Sequence, residues 1–213
     1  IAFELGLKWL QISVEAGNLD ATHQLGVITG ERGDVESLAQ ALVLYEKAAN
    51  QGYISSAHNA GLAYANGLGT EIDYEKARHY YAIAADAGLT SAIHNLGVLH
   101  CEGKGGDTDK EAAFNCFNDA AAQGSFLSSQ SLSKMFAAGE VKDIPPNKSL
   151  ELAWLLIAEQ QAKELGQIQP SIISAKKQLL QKLVEDEKIS AISILEVIGE
   201  TTPKWVSSVL TDQ

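Results

Sequence analysis

The chain has 213 residues, 46% hydrophobic and 20% charged, an ordinary composition for a folded protein. Its formal charge of -11 at pH 7 argues against nucleic acid as a partner, since a phosphate backbone needs clustered Lys and Arg. No apolar run reaches the roughly 18–20 residues that a membrane span needs. A soluble protein, cytoplasmic or periplasmic, is expected.

Residues 1–16 read as the second helix of a unit whose first helix is missing, so the chain is expected to begin inside a repeat. A glycine then recurs at Gly17, Gly52, Gly88 and Gly124, in steps of 35, 36 and 36 residues. Nine residues further on stand Gly26, Gly61, Gly97 and Ser133. Self-similarity at this period is the mark of a solenoid, in which each unit buries its apolar side against the next.

Within the unit that follows Gly52, Ser55 and Ser56 offer an N-cap for a first helix over 58–66. Gly67, Leu68 and Gly69 form a turn, Asp73 caps a second helix running to residue 86, and Gly88 ends it in the left-handed conformation. The next unit repeats the plan with Gly103 and Gly105 in the turn and Asp109 at the cap. The turn at Gly30–Gly33 is irregular, and Ile144-Pro145-Pro146 lengthens the last one. Small residues, Gly61 with Ala77 and Gly97 with Ala113, let paired helices touch. Leu25, Leu96 and Leu132, then Tyr64, His100 and Phe136, then Tyr45, Tyr81 and Phe117, form stripes at helical spacing and read as core.

After about residue 165 the period is lost. Pro170 opens a helix reaching about residue 185, a shorter one is expected over 189–198, and Pro203 opens another. The expected organisation is a solenoid over 1–165, of a half repeat plus about four units, and a C-terminal helical cap over 166–213 that covers its last apolar face.

The stretches Ser56-Ala57-His58-Asn59-Ala60-Gly61-Leu62-Ala63-Tyr64, Asn66-Gly67-Leu68-Gly69, Asp73-Tyr74-Glu75-Lys76-Ala77 and Tyr80-Tyr81-Ala82-Ile83-Ala84-Ala85-Asp86-Ala87-Gly88 together resemble the Sel-one-like repeat family, relatives of the tetratricopeptide repeats. The resemblance covers about residues 1–165. It implies an all-α protein, a right-handed α/α solenoid of helix-turn-helix units. Proteins of this kind serve as adaptors, as bacterial factors in host interaction and as neutralisers of secreted toxins.

A polar ladder runs along the first helices. His23, His58, His94 and Gln130 share one repeat position, and Gln24, Asn59, Asn95 and Ser131 the next. Aligned with tetratricopeptide repeats, these positions fall on the concave face, where that related family contacts peptide. Leu62, Asn66, Val98, Glu102 and Lys134 are expected beside them, with Asp20, Val27 and Glu31. Asparagine suits peptide contact because its amide donates and accepts at once. The competing reading is that His and Asn tie neighbouring repeats together. Lys134 is the single basic residue in this set, so a neutral or basic protein or peptide partner is favoured.

No cofactor, small-molecule substrate or metal is expected. Packed helices stand roughly 8–10 Å apart, too far for successive histidines to share one zinc. The G-x-G at Gly103 follows a helix and lacks the lysine and hydroxyl of a phosphate loop. Ser131-Leu132-Ser133-Lys134 matches S-x-x-K, the nucleophile motif of penicillin-binding enzymes, but the S-D-N and K-T-G that such chemistry requires are missing. Cys101 and Cys116 are placed too far apart along antiparallel helices to pair, and read as buried apolar residues. The expected function is a non-enzymatic interaction module. A dedicated neutraliser of a secreted bacterial toxin is the alternative, and a cell-wall-directed hydrolase a weaker one.

Overall fold

A computed structural model describes residues 2–167 and 169–183, together with 187, 188, 190, 191 and 193. The expected helix over 189–198 falls mostly outside these residues, and the one opening at Pro203 entirely outside them. The described residues form ten α-helices and no strand. They divide into two compact units, 1–109 and 110–213.

The first unit holds α1 (Ala2–Glu15), α2 (Leu19–Gly30), α3 (Val35–Ala49), α4 (Ile54–Asn66), α5 (Tyr74–Asp86) and α6 (Thr90–Glu102). Helices α2 with α3 and α4 with α5 are antiparallel hairpins, and α6 packs on α5. The core is built of small residues: Ala57, Ala60, Ala77, Ala84 and Ala92 are wholly inaccessible, with Leu42, Tyr64, Tyr81 and Leu99 between them. Gly61 is needed for this close approach, since a Cβ there would stand 2.6 Å from the Tyr81 ring. The second unit holds α7 (Lys110–Ala122), α8 (Phe126–Ala138), α9 (Lys148–Glu164) and α10 (Pro170–Leu180). Pro170 occupies the first turn of α10, where its missing N–H costs nothing.

The helix ends repeat as faithfully as the sequence. After each second helix the chain turns through a left-handed glycine, at Gly52, Gly88 and Gly124. The next N–H then reaches back, Tyr53 to Ala48, Leu89 to Ala84 and Ser125 to Ala120, at 3.0 Å each. Gly166 and Gln167 close α9 in the same way, with Gln167 N–H donating to Ala162 O at 2.8 Å. Three of the turns between first and second helices also share a closing bond. Asp73 N–H donates to Tyr64 O, Asp109 to His100 O and Asn147 to Phe136 O. The lengthened Ile144-Pro145-Pro146 turn therefore keeps the closing bond, with its extra residues inside the loop that the bond closes.

Two sequence expectations are corrected here. The first helix of the second repeat begins at Ile54 and not near His58: its N-cap is Tyr53, which makes no side-chain capping bond. Ser56 lies inside the helix and is fully buried. Cys101 and Cys116 form no disulfide and are half-buried rather than buried.

Candidate interaction face

The ladder histidines His23, His58 and His94 sit on α2, α4 and α6, each half-buried. Nδ1 of His23 is 2.9 Å from the hydroxyl of Ser56, one repeat away. Its ring packs against Tyr45 and Tyr53, with centroids 5.9 and 4.9 Å apart. Nε2 of His58 is 3.4 Å from the amide nitrogen of Asn95, and its ring is 5.8 Å from Tyr81. Burial pushes His23, His58 and His94 below the ordinary 6.5, so they are neutral at pH 7. A neutral His58 can accept from Asn95 through Nε2.

The two asparagines also meet tyrosines of the preceding repeat. Burial raises the Tyr45 phenol, and the Asn59 side chain beside it offsets part of the rise. Burial pushes Tyr81 up to about 12, with Asn95 opposing in the same manner. A His–Tyr–Asn trio therefore recurs, as His23, Tyr45 and Asn59 and then as His58, Tyr81 and Asn95. By register the next trio is His94, Phe117 and Ser131, in which the phenol hydroxyl and the amide are lost together. The Ser131 hydroxyl instead donates to Leu127 O at 3.0 Å within its own helix.

The remaining predicted residues are more open. Gln24, Asn66 and Glu102 are exposed, while Leu62 and Val98 are half-buried. Asn66 donates to Leu62 O at 2.8 Å, and Glu102 pairs with Lys104 at 2.7 Å. In the second unit, α8 carries Gln130, half-buried, and Lys134, exposed.

A cavity of about 340 Å³ opens beside the first trio, lined by α2, α3 and α4. Its walls include Val27, Leu38, Leu42, Tyr45, Leu62 and Ala63, with Glu31 and Asn59 as the polar groups. Of the predicted face, Val27, Glu31, Asn59 and Leu62 are thus brought together. Tyr45, expected in the core, is half-buried because it lines this opening.

Sequence reading missed Glu46 of α3. Its carboxylate accepts from the Tyr64 hydroxyl at 2.6 Å and the Tyr80 hydroxyl at 3.2 Å. The two rings stack with centroids 5.9 Å apart, and Lys76 lies over Tyr64. The available signal was slight: a charged Glu46 at the register where the next repeat has Ala82. Among the described residues no group of three or more side chains could hold a metal, and no helix is long and apolar enough to cross a membrane.

Three consecutive stretches, 19–53, 54–89 and 90–125, match the Sel1 repeat. Comparison with the curated proteins gave no match. Among solved structures, the chain is similar to a protective antigen of uropathogenic Escherichia coli with an SLR fold. The two are 28% identical with a TM-score of 0.66, over 96% of this chain and 47% of the antigen. A Sel1 repeat protein from Oxalobacter formigenes is 24% identical with a TM-score of 0.67, over 74% of this chain and 65% of that one. An immunity protein from Pseudomonas aeruginosa overlaps only loosely, at 16% identity and a TM-score of 0.37 over 89% and 74% of the two chains. The chain thus spans about half the length of the antigen and just under two thirds of the Oxalobacter protein. Repeats matched over half of the chain, in an all-α fold of tandem helical hairpins, make this protein a member of the Sel1 repeat family.

Proposed function

We propose that this protein is a non-enzymatic interaction module that holds a peptide or protein segment on the face carried by its first helices. Proteins built from Sel1 repeats generally act through protein–protein interaction, and the family is typically non-enzymatic. The observation that carries the reading is the cavity of about 340 Å³ beside the ladder, apolar within and bordered by an asparagine amide. That is the usual make-up of a recognition site: apolar area for affinity, with a few polar groups for orientation. His23, Gln24, His58, Asn59, Leu62, Asn66, His94, Asn95, Val98 and Glu102 form the face in the first unit. Gln130 and Lys134 carry the same positions in the second.

The ladder has two roles in this reading. The histidines and asparagines fix the stacking of successive repeats, and the edges they leave open meet the ligand. Peptides selected from a displayed random library provide the probe. The Asn59→Ala, Asn95→Ala double variant should bind them more weakly by about 1–3 kcal/mol, with helix content retained. Unchanged affinity in the folded double variant contradicts the assignment.

A further inference from the structure

The cavity beside Asn59 belongs to one repeat interface, and the register of the repeats explains why. Ala63 lines it, whereas the equivalent positions of the other units carry Ile28, Leu99 and Met135. Leu38 and Leu42 line it too, and their equivalents in the following unit are Tyr74 and Arg78. At that following interface Arg78 crosses to the Leu99 and Asp107 carbonyls, at 3.2 and 3.1 Å. Larger residues therefore occupy the equivalent space one repeat on. A small residue at one position and shorter ones at two others leave it open between the first two matched repeats.

The charge at the opening is as specific as its volume. Glu31 lines the cavity and is exposed, and it makes no ion pair among the described residues. Its sequence neighbour Arg32 forms no ion pair with it among the described residues. The chain as a whole carries a formal charge of -11. An apolar recess with an unpaired carboxylate at its edge selects a group that is apolar at its tip and cationic beside it.

We infer that the cavity lined by Val27, Leu42, Tyr45, Leu62 and Ala63 is an anchor pocket for a large apolar side chain of a partner peptide, with an adjacent Lys or Arg of that peptide paired to Glu31. The inference rests on the proposed peptide-binding role and names its specificity. A volume of about 340 Å³ admits one aromatic or long aliphatic side chain with part of its backbone. The Asn59 amide on the wall stands where it can meet that backbone.

The test uses phage-displayed random peptides panned on the whole chain, on Glu31→Lys and on Ala63→Leu. Ala63→Leu installs the residue that the following repeat carries, so it fills the pocket with a side chain the architecture already accommodates. The wild-type protein should enrich peptides with an apolar residue next to Lys or Arg. Glu31→Lys should enrich apolar–acidic pairs and bind the wild-type set about tenfold more weakly. Ala63→Leu should lose both sets while unfolding at equal or higher urea, as a substitution that fills an existing cavity does.

Three results would overturn the anchor pocket: the same peptides on the wild-type and Glu31→Lys proteins, binding unaffected by Ala63→Leu, or no enrichment. Self-association of the wild-type chain that Ala63→Leu abolishes would give the pocket to a second copy instead. Peptides that resist both pocket variants but are lost in the Asn59→Ala, Asn95→Ala double variant would leave the ladder-face reading standing and remove only the anchor.

Discussion

Glu46 shows how much a single residue can carry in a core made largely of alanine. Its carboxylate joins Tyr64 and Tyr80, which are 4% and 6% exposed, so removing it leaves two buried hydroxyls without their acceptor. Glu46→Ala should lower the unfolding free energy by about 1–3 kcal/mol, read from urea denaturation. Burial and the nearby Glu46 push both phenols up to about 12, and burial does the same for Tyr81. Their folded values lie above the ordinary 10, so their contribution to stability is complete below pH 10 and disappears as pH rises through about 12. Absorbance of tyrosinate should show three phenols ionising late, together with unfolding. Tyr64 was legible in sequence as a core residue from its register with Phe136. Its acceptor was not, because it comes from another repeat and obeys no local spacing.

At the scale of elements, second-helix starts and glycine ends were readable because each has a local chemical cause. Asp73 accepts from the Lys76 N–H, as its spacing suggested, and Gly88 is left-handed. First-helix starts misled because serines look like caps. The left-handed Gly52 and the bond from Tyr53 to Ala48 already set the chain direction, so α4 starts at once and Ser56 is free to meet His23. Gly69 was legible as a turn residue but not as a seat: a Cβ there would stand 2.2 Å from the Ala39 nitrogen, at a φ of +71°. Gly69→Ala should therefore cost about 2–4 kcal/mol, against about 1 kcal/mol for Gly17→Ala, where φ is also positive but nothing lies within 4 Å. Comparing the two urea midpoints separates contact from backbone strain.

Between α9 and α10 the link is ionic. Glu159 is buried, which alone would raise its carboxyl, but Lys176 and Lys163 hold it below the usual range. Lys176→Ala should destabilise by about 2–4 kcal/mol, because a mostly buried carboxylate loses its best-placed partner. The same loss of helix–helix contact should appear as faster amide exchange in α10.

For the whole molecule, the repeat period established the fold class before any coordinate, since stacked units are the only way such short amphipathic hairpins bury their apolar sides. The role of the ladder was legible only as a pair of alternatives, and the recurring His–Tyr–Asn trios show the inter-repeat tie directly. The cavity was not legible: it arises from Ala63 standing opposite α2 and α3, a feature of packing that no single repeat contains. Burial depresses His23, His58, His94 and His100. With folded values below 6.5, their contribution to stability is complete above that pH and declines as pH falls through the folded values. Urea midpoints should therefore drop between about pH 7.5 and pH 5, and His58→Gln should flatten the profile.

The proposed binding of a partner on the first-helix face has a direct test. A photo-crosslinking residue placed at Gln24 or Asn66, both exposed on that face, tests it against the same residue at Lys47 or Glu75 on the second helices. With peptides selected on the wild-type protein as probe, adducts are expected at Gln24 and Asn66 and none at Lys47 or Glu75. Adducts at Lys47 and Glu75, with none on the first helices, would contradict it.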